Sequence, residues 1–522
     1  MLQPIAIDSS DFPEIRRKGC VYVDKTAYFH QLATGPNARF FLARPRRFGK
    51  SLMISTLKAL FEGRRELFEG LAISQTDWTW EKWPVLYFNF GFAAAYTATE
   101  FERTFPGTVE AAITQIGGKY LPEKSAAENF GRSIDALSAR NGDRGVVILI
   151  DEYDDPVAQL LSKPEEAERV REMLADFFRQ MKDRAGKIRF LMVTGVSKFT
   201  KMSVFSTLSN LVDLSFRKET AAMLGFTEKE LEVYFEEHIR AHANVMGISN
   251  QAYRKDLKRW FNGYRFSRIS PVSVYNPVSV GVNFSIREPS IQSSWSSTGK
   301  ASMLMNFLKR EELLTVDMEQ VHGLQENDFD VTDIRNLRAV PMLYQTGYLT
   351  IDCYDPLTRT YSLRVPDEEV RQDLATVMTA VAAKQDTFWV SSLGYKLLHA
   401  DWGAFFTGLK ALYAGLPYGP KEGNVQEYSY ERSLLLLLKS QGILCHAEVN
   451  QANGQADIVA EHPCGIFLFE LKVGDSAEVA LEQIRSKHYD APYRGDSRPL
   501  WYLGLSFDRN THLLLDAKAV KA

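Results

Sequence analysis

Two stretches far apart in the chain combine residue types that handle phosphate. The first is Arg44-Pro45-Arg46-Arg47-Phe48-Gly49-Lys50-Ser51. At the start of a helix, the backbone N–H groups of Arg47, Phe48 and Gly49 would hold phosphate oxygens. Lys50 would neutralise the β- and γ-phosphate charge, and the Ser51 hydroxyl would ligate Mg²⁺. Gly-Lys-Ser is a common tripeptide, and Arg44 stands where such a loop normally has its first glycine. The context that strengthens the assignment is the apolar run Val146–Ile150, which ends in Asp151-Glu152. There Asp151 would hold the same Mg²⁺ and Glu152 would polarise the water that attacks the γ-phosphate. The bland alternative is a solvated acidic turn, Asp151 to Asp155. A further strand ends in Thr194-Gly195-Val196-Ser197-Lys198, where Thr194 or Ser197 would sense the γ-phosphate or simply close a turn.

The second stretch places Asp457 in the run Gln455–Val459 and follows it with Glu470-Leu471-Lys472. Residues two apart on a strand share a face, so Glu470 and Lys472 point the same way, and a hairpin brings Asp457 beside them. Hydrolysis of a phosphodiester needs oxygen ligands for a hard cation and a group that positions water. Asp457 and Glu470 would be the Mg²⁺ or Mn²⁺ ligands, and Lys472 the water contact. The competing reading is an ordinary Glu470–Lys472 surface pair. On the preceding helix Glu427 and Glu431 sit four residues apart, and either would add a metal ligand. Glu448 is a weaker ligand choice, and Gln483 and Tyr489 would orient the site or the substrate backbone.

Positioning these groups requires two sheets. Strands are expected at Phe40–Ala43, Pro84–Phe90, Val146–Ile150 and Ile188–Thr194, alternating with helical patterns as in a parallel α/β sheet. The helix before the last of them carries a capping pattern, Ser162 with Glu165, and an apolar face of Val170, Met173, Leu174, Phe177, Phe178 and Met181. Thr227 to Trp402 reads as a helical middle region, with turns at Phe261-Asn262-Gly263-Tyr264 and Tyr275-Asn276-Pro277. Gly415 to Asn424 concentrates Gly and Pro as a linker does. Beyond it the order is helix 427–440, strands 443–449, 455–461 and 465–472, helix 476–488 and strand 499–505. The expected fold is therefore α/β throughout. A P-loop NTPase-like domain spans 1–226, a helical middle region 227–414, and a restriction-endonuclease-like α/β domain 425–522.

The 522 residues exceed a single core, and 45% apolar with 24% charged residues describes a folded chain. A net charge of −3 gives no global pull on nucleic acid, so binding would use local basic patches. No signal peptide and no apolar run near the roughly 20 residues of a membrane span is visible, which points to the cytoplasm and to no membrane partner. Cys20, Cys353, Cys445 and Cys464 lack close spacing and read as reduced core residues.

These motifs, with Tyr22-Val23-Asp24-Lys25-Thr26 and Gly454-Gln455-Ala456-Asp457, resemble bacterial proteins that join an AAA-ATPase-like domain to a PD-(D/E)XK nuclease-superfamily domain. In that family the arginine-rich loop without its first glycine is usual. The resemblance implies ATP and Mg²⁺ as cofactors and ATPase and nuclease activities. It also places an acid on the first nuclease helix, best matched by Glu427, with Glu431 as the alternative. Nucleic acid is the implied substrate, with a second copy of the chain or another protein as further partners. Two other classes compete: a nucleotide-switched module that grips nucleic acid or protein without cutting, and a remodelling ATPase whose C-terminal domain only docks.

Overall fold

The computed structural model describes residues 2–93, 95–198, 211–285, 291, 293, 321–330, 338–415, 425–451, 454–511 and 513–522. Among them, residues before 293 together with 321–367 build one compact unit, and Glu368–Ala522 build the other.

The first unit is organised by β1 (Arg39–Ala43), β2 (Val85–Asn89), β3 (Val146–Asp151), β4 (Ile188–Gly195) and β5 (Val212–Asp213), in the order β2-β3-β4-β1-β5. All pairings are parallel. Every residue of β3 is buried. A parallel sheet is covered on both faces, which is why its strands read as unbroken apolar runs. Leu42 lies beside Thr194 and Ile150 beside Val193, so the carboxyl ends of β1, β4 and β3 are level. Ligands of open α/β sheets bind at that edge. The helix Pro164–Asp183 packs through Phe177 on Phe130, ring centroids 4.1 Å apart. It starts differently from the expected Ser162–Glu165 cap: Pro164 occupies the first turn and Lys163 makes no side-chain cap bond. Proline's fixed φ prepares that first turn without a cap.

The segment Phe261–Tyr264 is not the expected turn. Phe261 ends the helix Asn250–Phe261, and Asn262–Tyr264 form β6, paired with β7 (Val274–Tyr275). Three further strands, β8 (Val321–Leu324), β9 (Thr350–Asp355) and β10 (Thr360–Arg364), form a sheet in the order β8-β10-β9. Gly263 has φ 148°, and a Cβ there would overlap the carbonyl oxygen of Pro366.

The second unit contains β11 (Leu444–Gln451), β12 (Gly454–His462), β13 (Gly465–Val473), β14 (Leu500–Phe507) and β15 (Leu514–Lys521) in sequential order. Only β13 and β14 run parallel, joined by a crossover that contains the helix Ala477–Ser486. One face of this sheet, through Phe467, Phe469 and Leu471, packs on helices Thr387–Leu398, Trp402–Gly415 and Val425–Ser440. The other face, through Val459 and Leu468, packs on Leu481, Ile484 and Tyr489.

The stretch 227–414 is thus divided at Asp367 and Glu368, and its last three helices share the core of the C-terminal sheet. Residues 416–424 of the expected linker lie outside the described residues. The chain on either side belongs to one unit, and Tyr413 Oη donates to Tyr430 O at 3.0 Å. Cys353 and Cys464 are exposed, unlike the core cysteines expected, and Cys20 is buried. No helix among the described residues is long and apolar enough to cross a membrane.

Replacing Gly263 by Ala combines an unfavourable φ with a backbone overlap, so it should destabilise the first unit by about 3 kcal/mol. Urea unfolding followed by tryptophan fluorescence measures this; an unchanged midpoint contradicts the close approach to Pro366.

Candidate functional site

Gly49, at φ 83°, caps the helix Lys50–Phe61, so the phosphate-type loop leads directly from β1 into a helix N-terminus. Arg47 also has a positive φ of 70°. Two loop side chains turn away from the edge. Phe48 is buried and meets Tyr264 at 4.7 Å and Phe266 at 5.2 Å, so only its backbone is left to face a ligand. Arg44 is buried and donates to the carbonyls of Ala43, Ser215 and Thr220 at 3.0, 2.7 and 3.2 Å, with its guanidinium 4.1 Å from the Phe266 ring. The residue in the glycine position thus spends its side chain on packing, with its pKa pushed down to about 10 by burial.

Lys50 is buried and donates to Arg44 O at 2.9 Å and Pro45 O at 2.8 Å. Burial pushes its pKa down to about 8, against the pull of Asp151, Asp154 and Glu152. Asp151 is fully buried at the end of β3, where its Oδ1 accepts from Thr194 Oγ1 at 2.6 Å and from Glu152 N at 3.1 Å. Its Oδ2 is buried without a hydrogen-bond partner. A carboxylate oxygen in that state fits a cation, since unpaired buried charge is costly. No ordinary solvated turn follows: Asp154 and Asp155 are buried too. Ser51 is half-buried in the first turn of the helix.

Glu152 adopts φ 53°, and burial followed by the charge of Asp151 holds its carboxyl above the usual range. Its Oε2 occupies the space a Cβ of Gly91 would need, next to Asn89 Oδ1. Asn89 lies beside Asp151 in the β2–β3 register and accepts from Gly91 N at 2.9 Å. Sequence reasoning missed both neighbours; the polar Asn89 at the end of an apolar strand was the available signal. Thr194 reaches Asp151, but Ser197 does not: its hydroxyl and N–H donate to Asp154 Oδ2 at 2.5 and 2.8 Å. Asp154 therefore clamps the loop after β4.

In the second unit, β12 and β13 pair Ile458 with Phe469, so Asp457 and Glu470 follow each other across the hairpin. Asp457 Oδ2 accepts from Leu471 N at 2.7 Å, and Lys472 Nζ donates to Glu470 Oε1 at 2.7 Å. Glu470 is fully buried, and its Oε2 has no hydrogen-bond partner. Burial first, then the negative charge of Asp457, pushes its pKa up to about 7. This is not an ordinary surface ion pair.

Gln483 Nε2 donates weakly to the buried Tyr489 Oη at 3.4 Å, on the face that also carries Glu470. Glu448 is exposed at φ 49°, in the β11 position opposite Asp457 that the pairing skips. The side chain of Glu427 lies outside the described residues. Its helix packs through Tyr430, Leu434, Leu437 and Leu438 on the Phe467–Phe469 face. Among the described residues no third His, Cys, Asp or Glu completes a metal cluster. Two carboxylates still suit Mg²⁺, which commonly takes one or two together with waters and substrate phosphate.

Residues 4–205 match the family described as "Predicted AAA-ATPase", and residues 425–516 match the PD-(D/E)XK nuclease superfamily. An uncharacterized protein in the vnfD 5′ region of Azotobacter chroococcum is 31% identical over 97% of this chain and 96% of its own. The chain belongs to this AAA-ATPase-like, PD-(D/E)XK family. Its two domains are of AAA-ATPase-like and PD-(D/E)XK nuclease-superfamily type, and the five-stranded parallel sheet is the P-loop NTPase-like layer. A solved structure of the Aeropyrum pernix ORC2 protein overlaps 74% of this chain and 96% of that one at 14% identity with a TM-score of 0.25, a superposition too loose to equate residues.

The raised pKa of Glu470 in the nuclease-superfamily domain has a stability consequence. Unfolded, the carboxyl loses its proton near the ordinary glutamate value of 4.5; folded, it keeps it to about pH 7. Between these values the folded state binds more protons, so this group's contribution falls as pH rises. Glu470→Gln removes that loss. Without divalent cations the variant should melt above wild type at pH 8, and the gap should close by pH 4.5. An equal gap at both pH values contradicts the raised pKa.

Proposed function

We propose that this protein binds and hydrolyses ATP at the β1–β3–β4 edge of the first unit and cleaves nucleic-acid phosphodiesters with a divalent cation at Asp457 and Glu470 of the second. The observation that carries this reading is the pair of buried carboxylate oxygens, Asp151 Oδ2 and Glu470 Oε2, that have no hydrogen-bond partner where each motif expects a cation. An intact acid pair with a lysine at 2.7 Å favours cleavage over a module that only grips, because a binder has no use for a desolvated metal site.

At the ATP site the N–H groups of Arg47, Phe48 and Gly49 would hold the phosphates, with Lys50 leaving the carbonyls of Arg44 and Pro45 to meet the β- and γ-oxygens. Ser51 and Asp151 would hold Mg²⁺, which supplies charge neutralisation when bound. Thr194 fixes Asp151 through its Oδ1, so its contribution is orientation of that ligand. Glu152, held above the usual carboxyl range, suits a base that takes the proton of the attacking water. At the nuclease site Asp457 and Glu470 would hold Mg²⁺ or Mn²⁺, which would supply water activation and neutralise charge on the phosphodiester. Glu427, with Glu431 as the alternative, would be the helical ligand there. Lys472 would place the attacking water, with Gln483 and Tyr489 shaping the face the backbone crosses. Such a protein would work in the cytoplasm on DNA or RNA, alone or as an assembly of copies.

Lys50→Ala should abolish ATP binding measured by calorimetry; wild-type affinity contradicts the phosphate-loop assignment. Glu152→Gln should keep binding and slow hydrolysis by about 10²-fold or more, the scale of losing a general base.

For the second site, Asp457→Ala should lose both Mn²⁺ affinity and cleavage of a labelled oligonucleotide. Lys472→Ala should lose cleavage with Mn²⁺ affinity kept, at about 3 kcal/mol of transition-state stabilisation. Normal cutting by Lys472→Ala contradicts the assignment and favours the non-cleaving module.

A further inference from the structure

One cation of the phosphate loop has no role in the scheme above. Arg46 lies four residues before Lys50, with 40% of its side chain exposed, and its Nη2 donates to Asp155 Oδ1 at 2.9 Å. Asp155 begins the short helix after the Glu152 turn: its N–H donates to Glu152 O at 3.1 Å, and its Oδ2 accepts from Gln159 Nε2 at 2.6 Å. The guanidinium therefore ties the phosphate loop to the acidic turn. Its charge reaches Lys50 and Glu152, lowering the pKa of each. Arg44 cannot fill that place, because its guanidinium is buried on three backbone carbonyls.

We propose that Arg46 is a catalytic residue that contacts the γ-phosphate in cis, leaving Asp155 when ATP binds and returning to it when phosphate departs. This rests on the reading of the loop as an ATP site. A planar guanidinium donates two parallel N–H bonds to a carboxylate or to two phosphate oxygens, so the exchange conserves its charge-assisted bonds. Asp155 is buried, but it keeps its bond from Gln159 when Arg46 leaves, and the γ-phosphate takes its place on the guanidinium.

In hydrolysis, the water oxygen bonds to the γ-phosphorus as its proton passes to Glu152. The bond from that phosphorus to the β–γ bridging oxygen breaks, and its electron pair leaves with ADP. Arg46 meets the charge that grows on the γ-oxygens, the part an arginine supplies in other phosphoryl transfers. ADP has no γ-phosphate, so Arg46 should separate ATP from ADP.

The test uses the full chain, fluorescent ATP and ADP analogues for Kd, and phosphate release for turnover with Mg²⁺. Arg46→Ala is expected to weaken ATP about tenfold, leave ADP within about twofold, and cut turnover on the order of 10³-fold. Asp155→Asn, which frees the guanidinium, is expected to tighten ATP a few fold over ADP. The ATP-to-ADP affinity ratio is the deciding readout, because a purely structural loss of the Arg46–Asp155 pair would weaken both nucleotides alike. If wild type binds nucleotide but Arg46→Ala leaves the ATP-to-ADP affinity ratio unchanged, or loses both affinities with a fall in melting temperature, the assignment of Arg46 is overturned and the ATP site stands. If wild type binds neither nucleotide, the ATP site falls and Arg46 falls with it.

Discussion

Taking a carboxylate oxygen out of water without a protein partner is among the costliest things a fold can do, and each of the two motif sites does it. Asp151 Oδ2 and Glu470 Oε2 are both buried and both lack hydrogen-bond donors. In each case the other oxygen is tied down, by Thr194 and the backbone of Glu152 in one and by Lys472 in the other. One oxygen fixed and one left open is the arrangement that the proposed cation ligands would need. The rest of each sheet supplies the apolar surroundings that make the open oxygen expensive, and hence strong, once a cation meets it.

The two sites solve the same problem with different strand geometry. In the first unit, parallel strands bring the ends of β1, β3 and β4 to one edge, so residues from Lys50 to Thr194 converge without any local turn. In the second, the β12–β13 hairpin brings Asp457 to Glu470, and the alternation of β13 puts Lys472 on the same face. Supporting residues then act at long range. Phe48 locks the phosphate loop onto Tyr264 and Phe266, while Asp154 clamps the loop that follows Thr194.

What could be read from the sequence follows from these distances. Strands buried on both faces appear as apolar runs, so β1 to β4 were visible within one or two residues, and hairpin arithmetic paired Asp457 with Glu470. The two-residue β5 and the closing strand β15 carry no such run and were not seen. Helical periodicity shows that a helix buries a face but not which sheet it covers, so the helices between Glu368 and Gly415 gave no sign that they serve the C-terminal core. Nothing near Arg44 announces that its side chain turns inward, because its partners Ser215 and Thr220 lie more than 170 residues on. Ser197 had the right type and place for a sensor, and only the fold reveals that Asp154 already holds it.

The central claim, that both open carboxylates are cation ligands, is tested most directly by counting bound Mn²⁺ by electron paramagnetic resonance at pH 8, where Glu470 is largely ionised. One ion should bind the protein alone and a second should appear with a non-hydrolysable ATP analogue; Asp457→Ala should remove the first and Lys50→Ala the second. A protein that binds no Mn²⁺ with or without the analogue would contradict the account.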